Sequence, residues 1–231
     1  KKLTRLRECL KHSKRLMKLG FMLWDPASSF MKPILKILKI VRMGQFSLTY
    51  DTENLVHRWV LLLLNQLRYG EKLRSLLVRY YFFAALNPPN IGPYLHKLQQ
   101  LTSLTLEIPF CSPDCIEYYD KVGKSLLKLK KLKYLRTDSR HLQRENALAA
   151  KSVLFEHIKN KQDFLGLDLV LVIDESSEES SFDAINNSNM LAKLCLKITQ
   201  FYAKKASCFL NKLHLPNSLR FLDLKFLTDQ R

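Results

Sequence analysis

The 231-residue sequence is 47% hydrophobic and contains only 6 glycines and 8 prolines, which excludes a wholly disordered chain and supplies enough apolar side chains for a large core. Its 38 Lys and Arg exceed its 21 Asp and Glu and give a net charge of +17, which attracts nucleic acids, anionic membranes or acidic protein surfaces. The densest apolar window, between Arg58 and Asn65, is much shorter than the roughly 20 residues that span a membrane. The 5 cysteines are scattered, which is typical of reduced thiols, and we expect an intracellular protein.

The first 44 residues are predicted to form a basic helical cap. Apolar side chains recur at helical spacing from Leu3 to Leu10 and again from Leu16 to Met22, with Lys and Arg between them, and Pro33 precedes a second apolar run. A stack of structural repeats needs such a cap, because its terminal unit lacks a neighbour. The alternative is an arm that binds a polyanion. In that case the contacts come from Lys11, Lys14, Arg15, Lys18, Lys128, Lys130, Lys131 and Lys133.

Residues 45–231 contain a repeat of about 28 residues. In LQQLTSLTLEI, at positions 98–108, apolar residues spaced three apart run directly into apolar residues spaced two apart. The three-residue spacing suits a chain that leaves a helix, and the two-residue spacing suits a strand with one buried face. Similar segments recur at 132–138, 191–198 and 219–226, and alternating segments at 46–51, 75–83 and 164–174 bring the number of predicted strands to seven. Their inward-facing anchors are Leu48, Leu76, Leu104, Leu135, Leu169, Leu196 and Leu224.

Helices are predicted between these strands. Residues 53–69 and 140–160 have apolar side chains at helical spacing, and SPD at 112–114 supplies an N-cap and an early proline for another helix. Each unit therefore consists of strand, turn, helix and turn. Stacked units of this kind build an α/β fold with a parallel sheet on one side and helices on the other. The apolar face of the helix after residue 114 is predicted to be Ile116, Tyr119, Val122 and Leu126.

This pattern resembles the leucine-rich repeat, specifically the longer repeats of the ribonuclease-inhibitor-like group, from about residue 45 to 230. The motif LxxLxL begins at Leu101, Leu191 and Leu219, whereas the copy that begins at Leu132 has Thr137 in its third position. The Asn or Cys that the family places three residues beyond the motif is missing. Its places hold Pro109, Arg140, Asp174, Thr199 and Leu227.

The resemblance implies a solenoid of about seven irregular units, with parallel strands lining a concave face and helices on the convex side. It also implies that the concave face recognises a protein. An all-helical leucine-rich protein is the alternative architecture. The outward-pointing strand positions that are expected to contact the partner are Leu77, Arg79, Tyr81, Thr105, Glu107, Tyr134, Arg136, Asp168, Val170, Val172, Lys197 and Lys225.

No sequence motif of catalysis or cofactor binding is present. The chain lacks GxSxG, a glycine-rich phosphate loop and HExxH, and the close pair Cys111 and Cys115 lacks the further ligands of a zinc site. We therefore expect no enzyme activity, cofactor, metal or small-molecule substrate. The predicted function is a non-catalytic scaffold or adaptor subunit of a larger complex. The alternative is an RNA-binding subunit of a ribonucleoprotein particle whose basic segments contact phosphates.

Overall fold

Strands form where apolar and polar side chains alternate, and helices form where apolar side chains recur every three or four residues. The computed structural model describes residues 18–23, 28–40, 43–50, 54–70, 72–80, 89–107, 115–138, 153–154, 156–157, 165–173, 191–199, 211, 214 and 217–227. It is an α/β structure. The strands are β1 (Lys18–Leu23), β2 (Gln45–Tyr50), β3 (Ser75–Tyr80), β4 (Ser103–Glu107), β5 (Tyr134–Asp138), β6 (Gly166–Ile173), β7 (Leu191–Thr199) and β8 (Phe221–Leu227). The helices are α1 (Ser28–Ile40), α2 (Asn54–Leu67), α3 (Gly92–Leu95) and α4 (Cys115–Leu127).

The eight strands form one open sheet whose strand order follows the chain from β1 to β8. Every pair of neighbouring strands is parallel. Parallel neighbours need a crossover between them, and α1, α2, α3 and α4 provide the crossovers before β2, β3, β4 and β5. Consecutive helices among these four contact each other, so each of these units adds one strand to the sheet and one helix to the layer beside it.

Strand β1 lies inside the segment for which the sequence predicts a helical cap. The helix prediction is wrong for residues 18–23, where Leu19 and Phe21 also alternate with their neighbours and pair with β2. The rings of Phe21 and Phe46 lie 5.8 Å apart, which ties β1 to the core. The described sheet therefore has eight strands and not the predicted seven. The second predicted helix is present as α1, but it begins at Ser28 and contains Pro33.

Leucines spaced three apart form the turns that lead from a helix into the next strand. The N–H of Leu98 donates to the carbonyl oxygen of Leu95 at 2.9 Å, and the N–H of Leu101 donates to Leu98 at 2.9 Å. The next residue of the series, Leu104, is the first buried residue of β4. These leucines are all buried because each three-residue turn returns the chain to the same side. The same series recurs as Leu126, Leu129, Leu132 and Leu135.

Main-chain hydrogen bonds just before the strands fix the stacking of successive units. The carbonyl oxygen of Gly44 accepts from the N–H groups of Arg74 at 2.8 Å and Ser75 at 3.0 Å. The carbonyl oxygen of Arg74 accepts in turn from Thr102 at 2.8 Å, and that of Thr102 accepts from Lys133 at 2.9 Å. Equivalent positions of four units are thereby joined directly, which sets the register of β3, β4 and β5.

One face of the sheet is buried against the helices. The register aligns Leu76, Leu104 and Leu135 in one row, and it aligns Leu48 with Val78 in the next. All five side chains are buried, so the inward direction predicted for the first four anchors is confirmed. The anchors nevertheless fall in three rows, because a shift of two residues keeps a side chain on the same face. Leu169 lies in the same row as Leu48, and Leu196 and Leu224 lie together in the third row.

The predicted anchor Leu224 is not buried. It is 41% exposed, and Leu222 of the same strand is 43% exposed, whereas Leu104 is fully buried. Strand β8 has a neighbour on one side only within the described sheet. A leucine at the edge of the sheet therefore loses half of the neighbours that bury the same residue in a central strand.

We expect Thr137→Val to stabilise the protein. Thr137 is fully buried in the row that contains Leu106, and its hydroxyl has no hydrogen-bond partner among the described residues. Burial of such a hydroxyl costs on the order of 1–3 kcal/mol, and valine has nearly the same shape. Urea denaturation should show a gain of about 1 kcal/mol in the free energy of unfolding. The control Thr105→Val, on the outward side of β4, should change it by less than about 0.5 kcal/mol. A loss of stability on Thr137→Val contradicts this account.

Gly123 allows the helical residues 153–154 and 156–157 to approach α4. A Cβ atom at this position would lie 2.5 Å from Cδ2 and 3.0 Å from Cβ of His157. Nε2 of His157 lies 2.7 Å from Oδ1 of Asp120, and Oδ2 of Asp120 accepts from Nζ of Lys124 at 2.7 Å. The hydrogen bonds from Lys124 and His157 lower the pKa of Asp120. This cluster joins α4 to the next part of the helix layer.

Candidate functional site

The face of the sheet opposite the buried rows is the candidate site, and we call it the outer face. Its side chains alternate with the buried ones along each strand, so β3 has half-buried Ser75, Leu77 and Arg79 between buried neighbours. The register places these positions beside those of β4. The outer face consists of alternate positions on all eight strands, which are Lys18, Gly20, Met22, Gln45, Ser47, Thr49, Ser75, Leu77, Arg79, Ser103, Thr105, Glu107, Tyr134, Arg136, Asp138, Gly166, Asp168, Val170, Val172, Lys193, Cys195, Lys197, Thr199, Phe221, Asp223 and Lys225.

Most of the predicted partner-binding positions belong to this face. Leu77, Thr105, Arg136 and Asp168 form one continuous row across β3 to β6. Tyr134 is 51% exposed. The backbone positions of Val170, Val172 and Lys197 lie on the same face, but their side chains are outside the described residues, as is all of Tyr81. The remaining predicted positions on this face are Arg79, Glu107 and Lys225.

Arg79 and Glu107 form an ion pair across β3 and β4. The guanidinium Nε of Arg79 donates to Oε2 of Glu107, and the two residues are direct partners in the strand register. Only 11% of the Glu107 side chain and 29% of the Arg79 side chain are exposed. Because both charges are largely shielded from water, the pair holds its two side chains in one arrangement. It is a fixed, polar feature of the outer face.

Charged side chains also lie side by side across β5, β6 and β7. Arg136 and Lys193 are the register partners of Asp168 on its two sides. Burial raises the pKa of Asp168, and the positive charges of Lys193 and Arg136 lower it only in part. A shift between register partners, where one residue of β7 is unpaired, brings Lys193 to this face. The carboxylate of Asp168 is therefore held between two cations at a net electrostatic cost.

The free energy of unfolding of the Asp168→Asn variant, relative to that of the native protein, should be higher at neutral pH than at acid pH. The pKa of Asp168 is raised on folding, so its contribution to stability is complete below the unfolded value of about 3.9 and is lost as pH rises through the folded value. Asparagine does not titrate. Urea denaturation at pH 4 and pH 7 should show that the stability of the variant relative to the native protein increases with pH. The control Asp120→Asn, on α4, should show the opposite trend, because hydrogen bonds from Lys124 and His157 lower the pKa of Asp120. An Asp168→Asn difference that is constant or largest at pH 4 contradicts the assignment.

Large exposed apolar side chains also lie on the outer face. Met22 on β1 is 60% exposed and Phe221 on β8 is 66% exposed, with Tyr134 of β5 between them. Sequence reasoning missed Met22 because residues 16–22 have a helical spacing as well as an alternating one. It missed Phe221 because only the neighbours of Leu224 were considered, although Phe221 directly precedes the inward Leu222. Alternation from Leu222 identifies it.

Tyrosine rings pack in pairs on the buried side of the sheet. The rings of Tyr50 and Tyr80 lie 4.9 Å apart, and those of Tyr118 and Tyr119 lie 5.8 Å apart. Burial, followed by the neighbouring phenols, raises the pKa of Tyr50 and that of Tyr118 well above the usual value. These phenols therefore remain protonated at neutral pH and act as packing groups.

The predicted polyanion-binding lysines that the structure describes lie at one edge of the sheet. Lys18 is the first residue of β1, and the other four precede β5. All are exposed. Lys11, Lys14 and Arg15 lie outside the described residues. The fold thus brings Lys18 to the same edge as lysines more than 100 residues away in the sequence. These four are Lys128, Lys130, Lys131 and Lys133.

Comparison with known proteins assigns no family to this arrangement. No protein-family model matches the sequence, and no curated protein was found to be similar to it. Within the described ranges, no helix has the length and apolar character needed to cross a lipid bilayer. In the same ranges, His, Cys, Asp and Glu side chains do not gather in groups of three that could hold a metal ion. The outer face and the sheet edge that carries the exposed lysines are the candidate functional surfaces.

Proposed function

We propose that the protein is a leucine-rich-repeat-like solenoid that serves as a non-catalytic scaffold or adaptor subunit and recognises a protein partner on its outer, concave face. The observation that supports this most strongly is the composition of that face. Exposed Met22, Tyr134 and Phe221 share it with Arg79 and Arg136. Aromatic residues, methionine and arginine are the residue types enriched in protein–protein interfaces. They lie on β1, β3, β5 and β8, which favours a partner that covers several units at once.

The size of the face also supports a protein partner. Eight strands spaced about 4.8 Å apart span about 34 Å, and strands of about six residues are about 20 Å long. The resulting area is on the order of 700 Å², close to the 800 Å² or so that each partner buries in a standard complex. A small molecule needs a concave pocket with a few convergent polar groups instead. The fixed ion pair of Arg79 and Glu107 adds specificity to such a large contact.

Affinity purification with an outer-face variant tests this proposal. Thr105 is half-buried in the central row of the outer face, between Leu77 and Arg136. We expect Thr105→Arg to remove the native partner, because a long cation in the middle of an interface prevents close packing. The extract is treated with nuclease, so that any partner retained is held by protein contacts. Lys121→Ala, on the exposed side of α4, is the matched control and should retain the partner.

The proposal fails if Thr105→Arg and Lys121→Ala retain the same proteins in the same yield. It also fails if no protein remains bound to the native chain after nuclease treatment. Urea denaturation of both variants must show native-like stability, so that a loss of binding cannot come from unfolding.

A further inference from the structure

A continuous basic surface lies along the edge of the sheet where the strands begin, and we call it the basic margin. Residues 68–74 and 128–133 are the turns that lead into β3 and β5, and residues 96–102 form the turn into β4 between them. Together these three segments contain eight Lys or Arg and one acidic residue, Glu71, which lies outside the described residues. We define the basic margin by six exposed residues, which are Lys72, Arg74, Lys128, Lys130, Lys131 and Lys133.

The three turns are neighbours in space and are bonded to one another. The carbonyl oxygen of Thr102 accepts from the N–H of Lys133, and Thr102 itself donates to Arg74. Side chains add to this, since Nε2 of Gln99 donates to the carbonyl oxygen of Lys128 at 3.2 Å and Nζ of Lys131 donates to Gln100 at 2.6 Å. Cations about 60 residues apart in the sequence therefore stand on two turns that are joined through the turn before β4.

The positive charges of the five lysines of the basic margin are not neutralised by acidic side chains among the described residues. Lys72, Lys128, Lys130 and Lys133 form no ion pair with any of them, and Lys131 bonds to an amide oxygen. Like charges on adjacent turns repel one another, so a polyanion that bridges the turns gains free energy from each of them. The margin has the electrostatic character of a phosphate-binding edge.

Exposed aromatic rings accompany these cations. Tyr69, Tyr134 and Phe221 are 59%, 51% and 66% exposed, and each directly follows a Lys or Arg in the sequence. Tyr134 and Phe221 are the first residues of β5 and β8, and Tyr69 lies in the turn before β3. The guanidinium of Arg68 lies 4.6 Å from the centre of the Tyr69 ring. An exposed ring therefore lies next to a cation at the starts of β3, β5 and β8.

We propose that the basic margin binds single-stranded nucleic acid, with the lysines and arginines on phosphates and the exposed rings stacked on bases. The exposed aromatic rings favour a single-stranded nucleic acid over the other polyanions. An acidic peptide has no flat bases to stack on them, and the bases of a duplex are already stacked inside the helix. Base stacking on aromatic side chains and a basic path for the backbone are the two features that sequence-independent single-strand binders combine. This surface shares Tyr134 and Phe221 with the outer face, whereas the protein partner is tested at Thr105, in the central row of that face.

The dimensions fit a short oligonucleotide. From β3 to β8 the strand starts cover five intervals of about 4.8 Å, or about 24 Å in total. A single strand that runs across the strand starts can place several consecutive phosphates over the turns while its bases reach the rings. The strand polarity follows neither from the charges nor from the rings.

Fluorescence anisotropy with labelled 15-nucleotide oligouridylate and oligothymidylate tests the cations. We expect the triple variant Lys128→Ala, Lys131→Ala, Lys133→Ala to bind both strands on the order of 10- to 100-fold more weakly at 50 mM salt, and to reduce the slope of log affinity against log salt by about 2. The matched control is Lys32→Ala, Lys36→Ala, Lys121→Ala, which removes the same charge from exposed helix positions. It should bind nearly as well as the native protein.

The rings are tested with Tyr69→Ala and Phe221→Ala. Each should weaken single-strand binding by about 5- to 100-fold and leave the salt slope unchanged, because stacking releases no counterions. Preference for oligouridylate over oligothymidylate would identify RNA as the ligand, and the reverse would identify DNA. A 15-base-pair duplex and a 15-residue glutamate peptide should both bind more weakly than the single strands.

Three results overturn the inference. The first is that neither oligonucleotide binds at 50 mM salt. The second is that the control triple variant loses as much affinity as the margin variant, because the charge then acts as a diffuse field. The third is that the duplex or the glutamate peptide binds as tightly as the single strands and the ring variants change nothing, which would assign the margin to an acidic polymer. None of these results bears on partner capture by the native chain after nuclease treatment.

Discussion

Leu104→Ala should lower the free energy of unfolding by about 3–5 kcal/mol, whereas Leu224→Ala should lower it by only about 1 kcal/mol. The sequence assigns the two leucines the same anchor role. Leu104 is fully buried, with Leu76 and Leu135 beside it in the row and Leu101 behind it in the turn. Leu224 is 41% exposed on the edge strand β8. The cost of a core truncation combines the lost burial with the cavity that remains, and a half-exposed site leaves no closed cavity.

Urea denaturation of the two variants, monitored by circular dichroism, provides the comparison. Since 3–5 kcal/mol is a large part of the stability of a typical domain, Leu104→Ala can fail to fold, and Leu104→Val is the milder variant that keeps the comparison measurable. Equal losses for Leu104 and Leu224 would show that β8 is covered as completely as β4. That result would contradict the position of β8 at the edge of the described sheet.

Loss of the ion pair between Arg79 and Glu107 should have the second large effect on the free energy of unfolding. Removal of one member of a largely shielded ion pair takes its compensation away from the other charge, and we expect Glu107→Ala to cost about 2–4 kcal/mol. In a double-mutant cycle with Arg79→Ala the two losses should not add, and the coupling free energy should be about 1–2 kcal/mol. The pair joins β3 to β4, so this coupling measures how firmly the outer face is held.

The matched control for this cycle is Glu117 with Lys121 on α4. Their charged atoms lie 2.5 Å apart, but 67% and 46% of the two side chains are exposed. Exposed pairs four residues apart on a helix contribute only about 0.3–0.5 kcal/mol. A coupling between Arg79 and Glu107 as small as that of the control would mean that the outer-face pair is open to solvent, and it would remove the fixed recognition feature from the proposed site.

The spacing of leucines predicts the inward face of the sheet but not its register. Leu48 and Leu76 both point inward as expected, yet Leu48 pairs with Val78 and Phe46 pairs with Leu76. A two-residue shift preserves the alternation, so periodicity alone leaves the register open. The register depends instead on main-chain bonds such as that from Arg74 to Gly44, which involve residues of no distinctive type.

Strand β1 shows the limit of a periodic pattern in a short segment. Leu16, Leu19 and Met22 fit a helix, whereas Leu19, Phe21 and Leu23 fit a strand, and the sequence gives no basis for a choice. Pairing with β2 decides in favour of the strand. Such pairing depends on residues more than 20 positions away, which is why tertiary contacts override local spacing here.

The candidate site was predictable in part for the same reason. Arg136 and Asp168 are outward positions on predicted strands, but the position of Lys193 beside Asp168 depends on the register shift between β6 and β7. The basic margin likewise required the fold, because its turns are about 28 to 31 residues apart in the sequence. Charge runs within one turn are visible in the sequence, and the joining of several turns is visible only in the structure.

Site-specific photocrosslinking from the outer face tests the central proposal most directly. A photoreactive amino acid replaces Thr105 in one preparation and Lys121 in the other, and each protein is irradiated in a nuclease-treated extract of its natural source. The account predicts that position 105 gives a discrete crosslinked protein and that position 121, on the exposed side of α4, does not. Equal crosslinking from both positions, or none from position 105, would contradict a partner on the outer face.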